Sequence, residues 1–405
     1  MTLHSTVTEA LRFDQKNTLP ARFLSYIIRM NFPAPFKIER YFAQHEFTAP
    51  YLFSSSDCES LSLRELLSYA DAECLKLWEN LRLGYTESLG HPLLREEIAK
   101  LYQSVSSENT LVVSPIEAIF LAMHALLKPG DHVVSIFPAY QALYEIPRSI
   151  GCDVSLWQLT ARDGVWHVDV DRLASLITPR TRLIIINFPH NPTGCLPSRE
   201  TFDAIVNITR EHDLFLFSDE MYRWLELDET RRLPSACEVY KKAIVLSGLS
   251  KTFALPGLRM GWLVAHDSDF LTRCQSLKDY TSICHSAPSE VLAIIALRAH
   301  QKIAARSLEI VRSNIDPAEK FFSENSKLFR WLPPQAGSIA FPEWLGARSI
   351  EEFCDSAVKE AGVMIVPGEI FDMPGRHFRV GLGRKNFPEA LARLADFLQK
   401  HYKYN

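Results

Sequence analysis

Glycine is scarce in this chain: 16 of 405 residues, fewer than the 23 prolines. That is about 4%, where about 7% is usual, and it argues against long glycine-rich phosphate loops. Long hydrophobic runs are missing too. The longest, such as Leu183 to Ile186 and Leu214 to Phe217, are strand-sized and far too short to span a bilayer. Met1 to Pro20 is polar and mixed in charge, without the apolar core of a signal peptide. No charge of one sign dominates: 44 basic against 48 acidic residues leave a net charge of -4, which gives no electrostatic case for nucleic acid or an anionic membrane. The eight cysteines at 58, 74, 152, 195, 237, 274, 284 and 354 form no C-x-x-C and no His/Cys ligand spacing. They read as free thiols in a reducing cytoplasm, and no metal site is expected. What remains is ordinary globular composition, 47% hydrophobic and 23% charged, in a chain long enough for about two or three domains.

The pattern along the chain changes twice. The first 60 residues are irregular, broken by Phe32-Pro33-Ala34-Pro35, with a short amphipathic helix over Phe36 to Gln44. From Leu61 the pattern is helical: Leu93, Leu94, Ile98 and Leu101 recur at helix spacing, and Ile116 to Leu127 ends at the turn Lys128-Pro129-Gly130-Asp131. Apolar runs at His132–Ile136, Arg182–Asn187, Leu214–Ser218, Ala243–Leu246 and Met260–Val264 then alternate with helices, including Tyr140–Ile150 and Glu200–His212. That alternation argues for a mostly parallel sheet covered on both faces. A long helical region from Asp267 to about Asn325 precedes short strands at 338–341, 363–366 and 378–381. The expected division is 1–60 as an N-terminal arm beside the active site, 61–290 as a large domain and 291–405 as a smaller α+β domain.

In a sheet of this kind ligands sit at the carboxyl ends of the strands. There the chain offers Tyr140, the run Asn187 to Gly194, Asp219 with Tyr222, and Ser250-Lys251. These are the parts needed to hold an aromatic, phosphorylated aldehyde: an amine for a Schiff base, an acid for a pyridine nitrogen, donors for a phenolate and a ring to stack on. Three segments, NFPHNPTG (187–194), SDEMYR (218–223) and SKTFALPGLRMGW (250–262), occur in that order. With them the stretch from Gly84 to Gly383 resembles the fold-type-I enzymes of pyridoxal 5′-phosphate (PLP), in the class I/II aminotransferase group.

The resemblance implies a mostly parallel seven-stranded sheet between helices, a smaller α+β C-terminal domain and PLP as cofactor. It implies Lys251 as the Schiff-base lysine and proton shuttle, on the way to a quinonoid. Asp219 would pair with the pyridine nitrogen, Tyr222 and Asn191 would donate to the phenolic oxygen, and Tyr140 would stack on the ring. Arg259, Ser250, Ser114 and the amides of Ile116 and Glu117 would hold the phosphate. Arg379 would clamp the substrate carboxylate, with Asn191 beside it. Tyr85 matches a tyrosine that reaches the neighbouring subunit's phosphate, which implies a homodimer with shared active sites.

Two departures stand out. The phosphate turn reads Ser114-Pro115-Ile116-Glu117, and proline has no N–H to offer. Gly248 stands where the family usually has a hydroxyl. The outcome of the reaction is open. Transamination of an α-amino acid leads, but Lys278–Thr281, Ala336–Pro342 and Val366–Phe371 are also similar to PLP-dependent cyclases that make capreomycidine or enduracididine from hydroxylated arginine. A guanidinium substrate needs acidic partners. Asp57 and Glu59 are candidates for them, with ordinary loop or cap chemistry as the plain alternative. Cys284-His285 reads as a loop pair whose side chains point apart, not as a catalytic dyad. A PLP-binding DNA regulator is a third class, but residues 1–60 carry no basic DNA-binding segment.

Overall fold

The computed structural model describes residues 32–402. Nine strands come from the larger part: β1 (Thr110–Val113), β2 (His132–Phe137), β3 (Asp153–Gln158), β4 (Thr160–Arg162), β5 (Val165–His167), β6 (Thr181–Asn187), β7 (Phe215–Asp219), β8 (Ala243–Gly248) and β9 (Gly261–Ala265). Seven form one sheet in the order β1-β9-β8-β7-β6-β2-β3, while β4 and β5 make a separate hairpin. Pairings from β3 through β8 are parallel, and β9 runs antiparallel to β8 and β1. Every residue of β1, β2, β8 and β9 is buried, as strands covered on both faces require. The short segments β10 (Phe329–Arg330), β11 (Ile339–Ala340), β12 (Glu343–Trp344), β13 (Val366–Pro367) and β14 (Phe378–Gly381) belong to the smaller C-terminal part, where β11-β14-β13 form a three-stranded sheet.

The sheet and the smaller C-terminal domain are those expected. The five apolar runs each become a strand, displaced by a residue or two. The edge strands β1 and β3 carried no comparable signal: β1 is four residues long, and β3 is mixed in burial. The helical region after Asp267 is three helices, Ser268–Lys278, Ala287–Arg298 and His300–Glu324. Pro288 sits in the first turn of the second, where proline is tolerated. That second helix crosses position 290 and packs on the helices Leu63–Leu67, Ala72–Glu79 and Pro92–Ala99. We propose that the division between the parts be placed at its end rather than at 290.

Residues 51–59 tie the chain's early part to its last strands. Met364 N–H donates to Tyr51 O at 2.9 Å, Gly381 N–H to Phe53 O at 2.7 Å, and Glu59 N–H to Gly383 O at 2.7 Å. The two backbones meet so closely that a Cβ on Gly381 would lie 1.9 Å from Ser55 O. Gly381→Ala is therefore expected to destabilise the protein by about 1–3 kcal/mol. Gly257→Ala has nothing within 4 Å of the added carbon and should change little. Thermal denaturation of both variants checks this, and equal melting temperatures would disprove the close-approach argument.

Candidate active site

The chain runs from β2 outward to β3 at one edge, then returns to β6 on the other side of β2 and proceeds away through β7 and β8. The order reverses between β2 and β6, and a crevice opens there at the carboxyl ends of the strands. A cavity of about 450 Å³ lies at that edge. Its floor and walls include Tyr140 after β2, Asn187 and Asn191 after β6, Asp219 and Tyr222 after β7, and Ser250 and Lys251 after β8.

Register sets the first contacts. Asn187 faces Asp219 across β6 and β7. Asn187 Nδ2 donates to Asp219 O at 2.9 Å, and its Oδ1 accepts the Asn191 N–H at 2.8 Å, which locks the loop to the strand. Asp219 Oδ1 accepts the Met221 N–H at 3.1 Å. Burial pushes the Asp219 carboxyl up to about 7, against the opposing pull of that N–H and of Lys251. Lys251 Nζ donates to Ser56 Oγ at 2.7 Å. Burial lowers its proton affinity; Asp57 opposes this and Arg379 adds to it. Tyr222 is 2% exposed, and among the described residues neither its hydroxyl nor that of Ser250 has a hydrogen-bond partner. Buried polar atoms without partners are costly, and both line the cavity.

Arg379, on β14, is fully buried and reaches the cavity from the C-terminal part. Its Nε donates to Ser54 O at 2.9 Å and its Nη1 to Asn191 Oδ1 at 3.3 Å. Among the described residues its Nη2 has no partner. The guanidinium lies 5.2 Å from the Phe371 ring centroid and 5.8 Å from that of Phe42. Arg259 lines the cavity from a left-handed backbone (φ 54°), its Nη1 donating to Pro256 O at 3.0 Å.

The anion end of the cavity is built without the usual turn. Helix Pro115–Leu126 starts there, with Pro115 and Ile116 in the wall. Ser114 and Glu117 form a capping box: the Ser114 N–H donates to Glu117 Oε2 at 3.3 Å and the Ser114 side chain takes the Glu117 N–H, which leaves the Ile116 N–H as the first-turn amide nearest the cavity. The proline and the missing hydroxyl are one feature. A Cβ on Gly261 would lie 2.9 Å from Pro115 Cγ, and a Cβ on Gly248 would lie 2.9 Å from Gly261 Cα. The pyrrolidine ring packs onto one glycine, which faces the other across β8 and β9.

Of the residues singled out from the sequence, the cavity brings together Lys251, Asp219, Tyr222, Asn191, Tyr140 and Arg379, with Arg259, Ser250, Ile116 and Asp57. Others lie apart. Glu59 is not in the wall: its Oε2 accepts the Lys385 N–H at 3.3 Å, because the strap turns it towards the C-terminal part. Asp57 lines the cavity but pairs with Arg384 at 2.9 Å. Ser114 and the Glu117 side chain cap their own helix, and Glu117 also accepts from Thr281 and Ser282. Tyr85 is 91% exposed. Ser56 was not foreseen, nor was the cavity face of helix Lys37–His45 and its end: Ile38, Glu39, Phe42 and Glu46. The amphipathic pattern announced that helix, but not which pocket its polar edge would meet.

The model of the family described as aminotransferase class I and II matches residues 53–397. The chain is 26% identical to the capreomycidine synthase of Streptomyces vinaceus, over 90% of this chain and 94% of that protein. It is 29% identical to an arginine–pyruvate transaminase of Pseudomonas aeruginosa, over 77% and 81%. The crystal structure of a PLP-dependent aminotransferase from Streptococcus suis superimposes with a TM-score of 0.85 at 32% identity, covering 92% of this chain and 99% of that one. The site fits the cofactor: an amine, a buried acid whose charged form burial disfavours, and the buried hydroxyls of Tyr222 and Ser250 short of a partner among the described residues. The chain belongs to the class I and II aminotransferase family, an enzyme family whose cofactor here is pyridoxal 5′-phosphate.

Proposed function

We propose that this protein is a PLP-dependent aminotransferase acting on an α-amino acid. The observation that carries the reading is the convergence of Lys251, Asp219, Tyr222 and Arg379 on one cavity at the switch point of the sheet. When bound, PLP supplies an electron sink that acidifies the Cα–H of an amino acid joined to it. Lys251 Nζ, held towards neutrality by burial, is the nucleophile and the base that carries that proton. Asp219 would hold the ring nitrogen's proton, and the Tyr222 hydroxyl and Asn191 Nδ2 would donate to the phenolic oxygen. Tyr140 covers the ring face. Arg259, the Ser250 hydroxyl and the Ile116 N–H would take the phosphate, while the Glu117 N–H is engaged by the Ser114 side chain. Arg379 receives the substrate carboxylate through its Nη2, on a guanidinium already oriented by Ser54 and Asn191.

A second reading is a PLP-dependent cyclase or eliminase acting on a hydroxylated arginine. The similarity to a capreomycidine synthase over 90% of the chain favours it. We also propose a homodimer. Tyr85, Leu83 and Tyr280 are each at least 85% exposed on this single chain, and a neighbouring copy would cover them. None of the eight cysteines is paired and seven are buried, which suits a reducing cytoplasm. Among the described residues no helix is long and apolar enough to cross a membrane.

Lys251→Ala is expected to abolish the near-visible absorbance of lysine-bound cofactor, and an unchanged spectrum would refute the assignment. A panel of amino acids separates the two reactions. Keto-acid release supports transamination, whereas ring-closed product from γ-hydroxyarginine without keto acid supports the cyclase. A pH titration tests Asp219. Its carboxyl lies at about 7 in the folded chain against 3.8 for the free group, so folding favours the neutral form. Without cofactor, that contribution is full below 3.8 and is lost as pH rises through about 7. Asp219→Asn should flatten this loss in thermal melts of the cofactor-free protein, and parallel pH profiles for variant and parent would rule it out.

A further inference from the structure

The cavity's charges divide unevenly. Three cations line it, Lys251, Arg259 and Arg379, together with four carboxylates, Glu39, Glu46, Asp57 and Asp219. On the functional reading above, which this inference rests on, the three cations and Asp219 are committed to cofactor and substrate carboxylate. Asp57 has Arg384 at 2.9 Å. Glu39 and Glu46 remain. Glu39 accepts one hydrogen bond, from the Tyr140 hydroxyl at 3.2 Å, and among the described residues no ion pair or hydrogen bond engages the Glu46 carboxylate. Burial raises the proton affinity of Glu46, and the negative charges of Asp57 and Glu39 raise it further, more than the opposing charges of Arg384 and Lys251 lower it, so a net negative field acts on this carboxylate.

The geometry gives that field a direction. Glu39, Phe42 and Glu46 follow one another at helical spacing, on the face that helix Lys37–His45 and its C-cap turn to the cavity. Phe42 lies against the Arg379 guanidinium, 5.8 Å from centroid to carbon. Arg379 is 1% exposed and keeps Nη2 unpartnered, a buried cationic donor facing the same space. One end of the cavity therefore asks for an anion and the helix beside it asks for a cation. Side chains as long as glutamate's can converge on a single group between them. We propose that Glu39 and Glu46 form the specificity wall for an α-amino acid whose side chain ends in a cation, guanidinium or ammonium. A neutral side chain would leave the exposed Glu39 and the half-buried Glu46 facing the cavity without a counter-charge from the substrate.

Isothermal titration of the PLP-loaded protein with L-arginine, L-lysine and L-norleucine tests this, with Glu39→Gln and Glu46→Gln run alongside. At least one cationic amino acid should bind about tenfold or more tighter than norleucine, and each variant should shrink that ratio by about tenfold. The arginine and lysine arms distinguish guanidinium from ammonium. Equal binding of norleucine overturns the proposal, as does an unchanged ratio in both variants. If Glu39→Gln merely loosens the helix, norleucine and arginine weaken together and the ratio stays; Glu46, whose carboxylate makes no hydrogen bond among the described residues, then decides. Keto-acid release is followed in the same samples. Tight arginine binding without turnover counts against the aminotransferase reading alone, and turnover of norleucine without cationic preference counts against this inference alone.

Discussion

Desolvation is the constraint on which the site depends. A charge taken out of water must find a counter-charge or give up its ionisation. Asp219 and Lys251 both sit in one cavity, and burial shifts each towards its neutral form. In a purely structural role such a pair would be a net cost. On the proposed reading a cofactor removes the imbalance: a protonated ring nitrogen would give Asp219 its cation, a phenolic oxygen would meet the Tyr222 hydroxyl, and a phosphate would meet the Ser250 hydroxyl and the Ile116 N–H. Binding of PLP is thus favourable for reasons built into the polypeptide before any chemistry begins.

Holding such a cavity open requires backbones that approach without side chains between them. Gly381 lets the 51–59 strap lie on β14, which carries Ser56 to Lys251 and Ser54 to Arg379. Gly261 and Gly248 serve the other end. They let the Pro115 ring close on the sheet, and the first helical turn then brings Ile116 to the cavity wall. A hydroxyl-bearing residue at position 248 would put its Cβ 2.9 Å from Gly261 Cα, too close for either backbone, so the proline turn and the absent hydroxyl belong to one packing arrangement. The scarce glycines are spent on close packing, not on a flexible loop.

How much was legible in the sequence follows from range. The central strands were readable because they are continuous apolar runs, buried on both faces. That Asn191, Asp219, Tyr222 and Lys251 would share one cavity was readable because each lies at or just beyond a strand's carboxyl end and within a short motif. Edge strands were not, since four residues of β1 or the mixed burial of β3 carry little period. Asp57 and Glu59 show the limit inside the site. They sit near each other in sequence, yet one lines the cavity and the other turns to Lys385, a choice made by the strap's contact with Gly383. Glu39 and Glu46 belonged to a helix whose pattern was plain, but their partner surface is assembled from distant parts of the chain.

The two walls of the cavity therefore differ in origin. The cofactor wall comes from consecutive strand ends of one sheet, where register alone sets Asn187 opposite Asp219. The substrate wall joins the helix Lys37–His45 to β14 across most of the chain, with Phe42 against Arg379 at the join. Changes in the first wall disturb ring, phosphate and lysine together. Changes in the second can alter what is bound beside Arg379 while leaving the electron sink in place. That division explains why family and cofactor are plain in this chain while aminotransferase and cyclase relatives both resemble it. The chemistry common to them is written in the sheet, and what distinguishes them must lie largely in the wall that the two ends of the chain build.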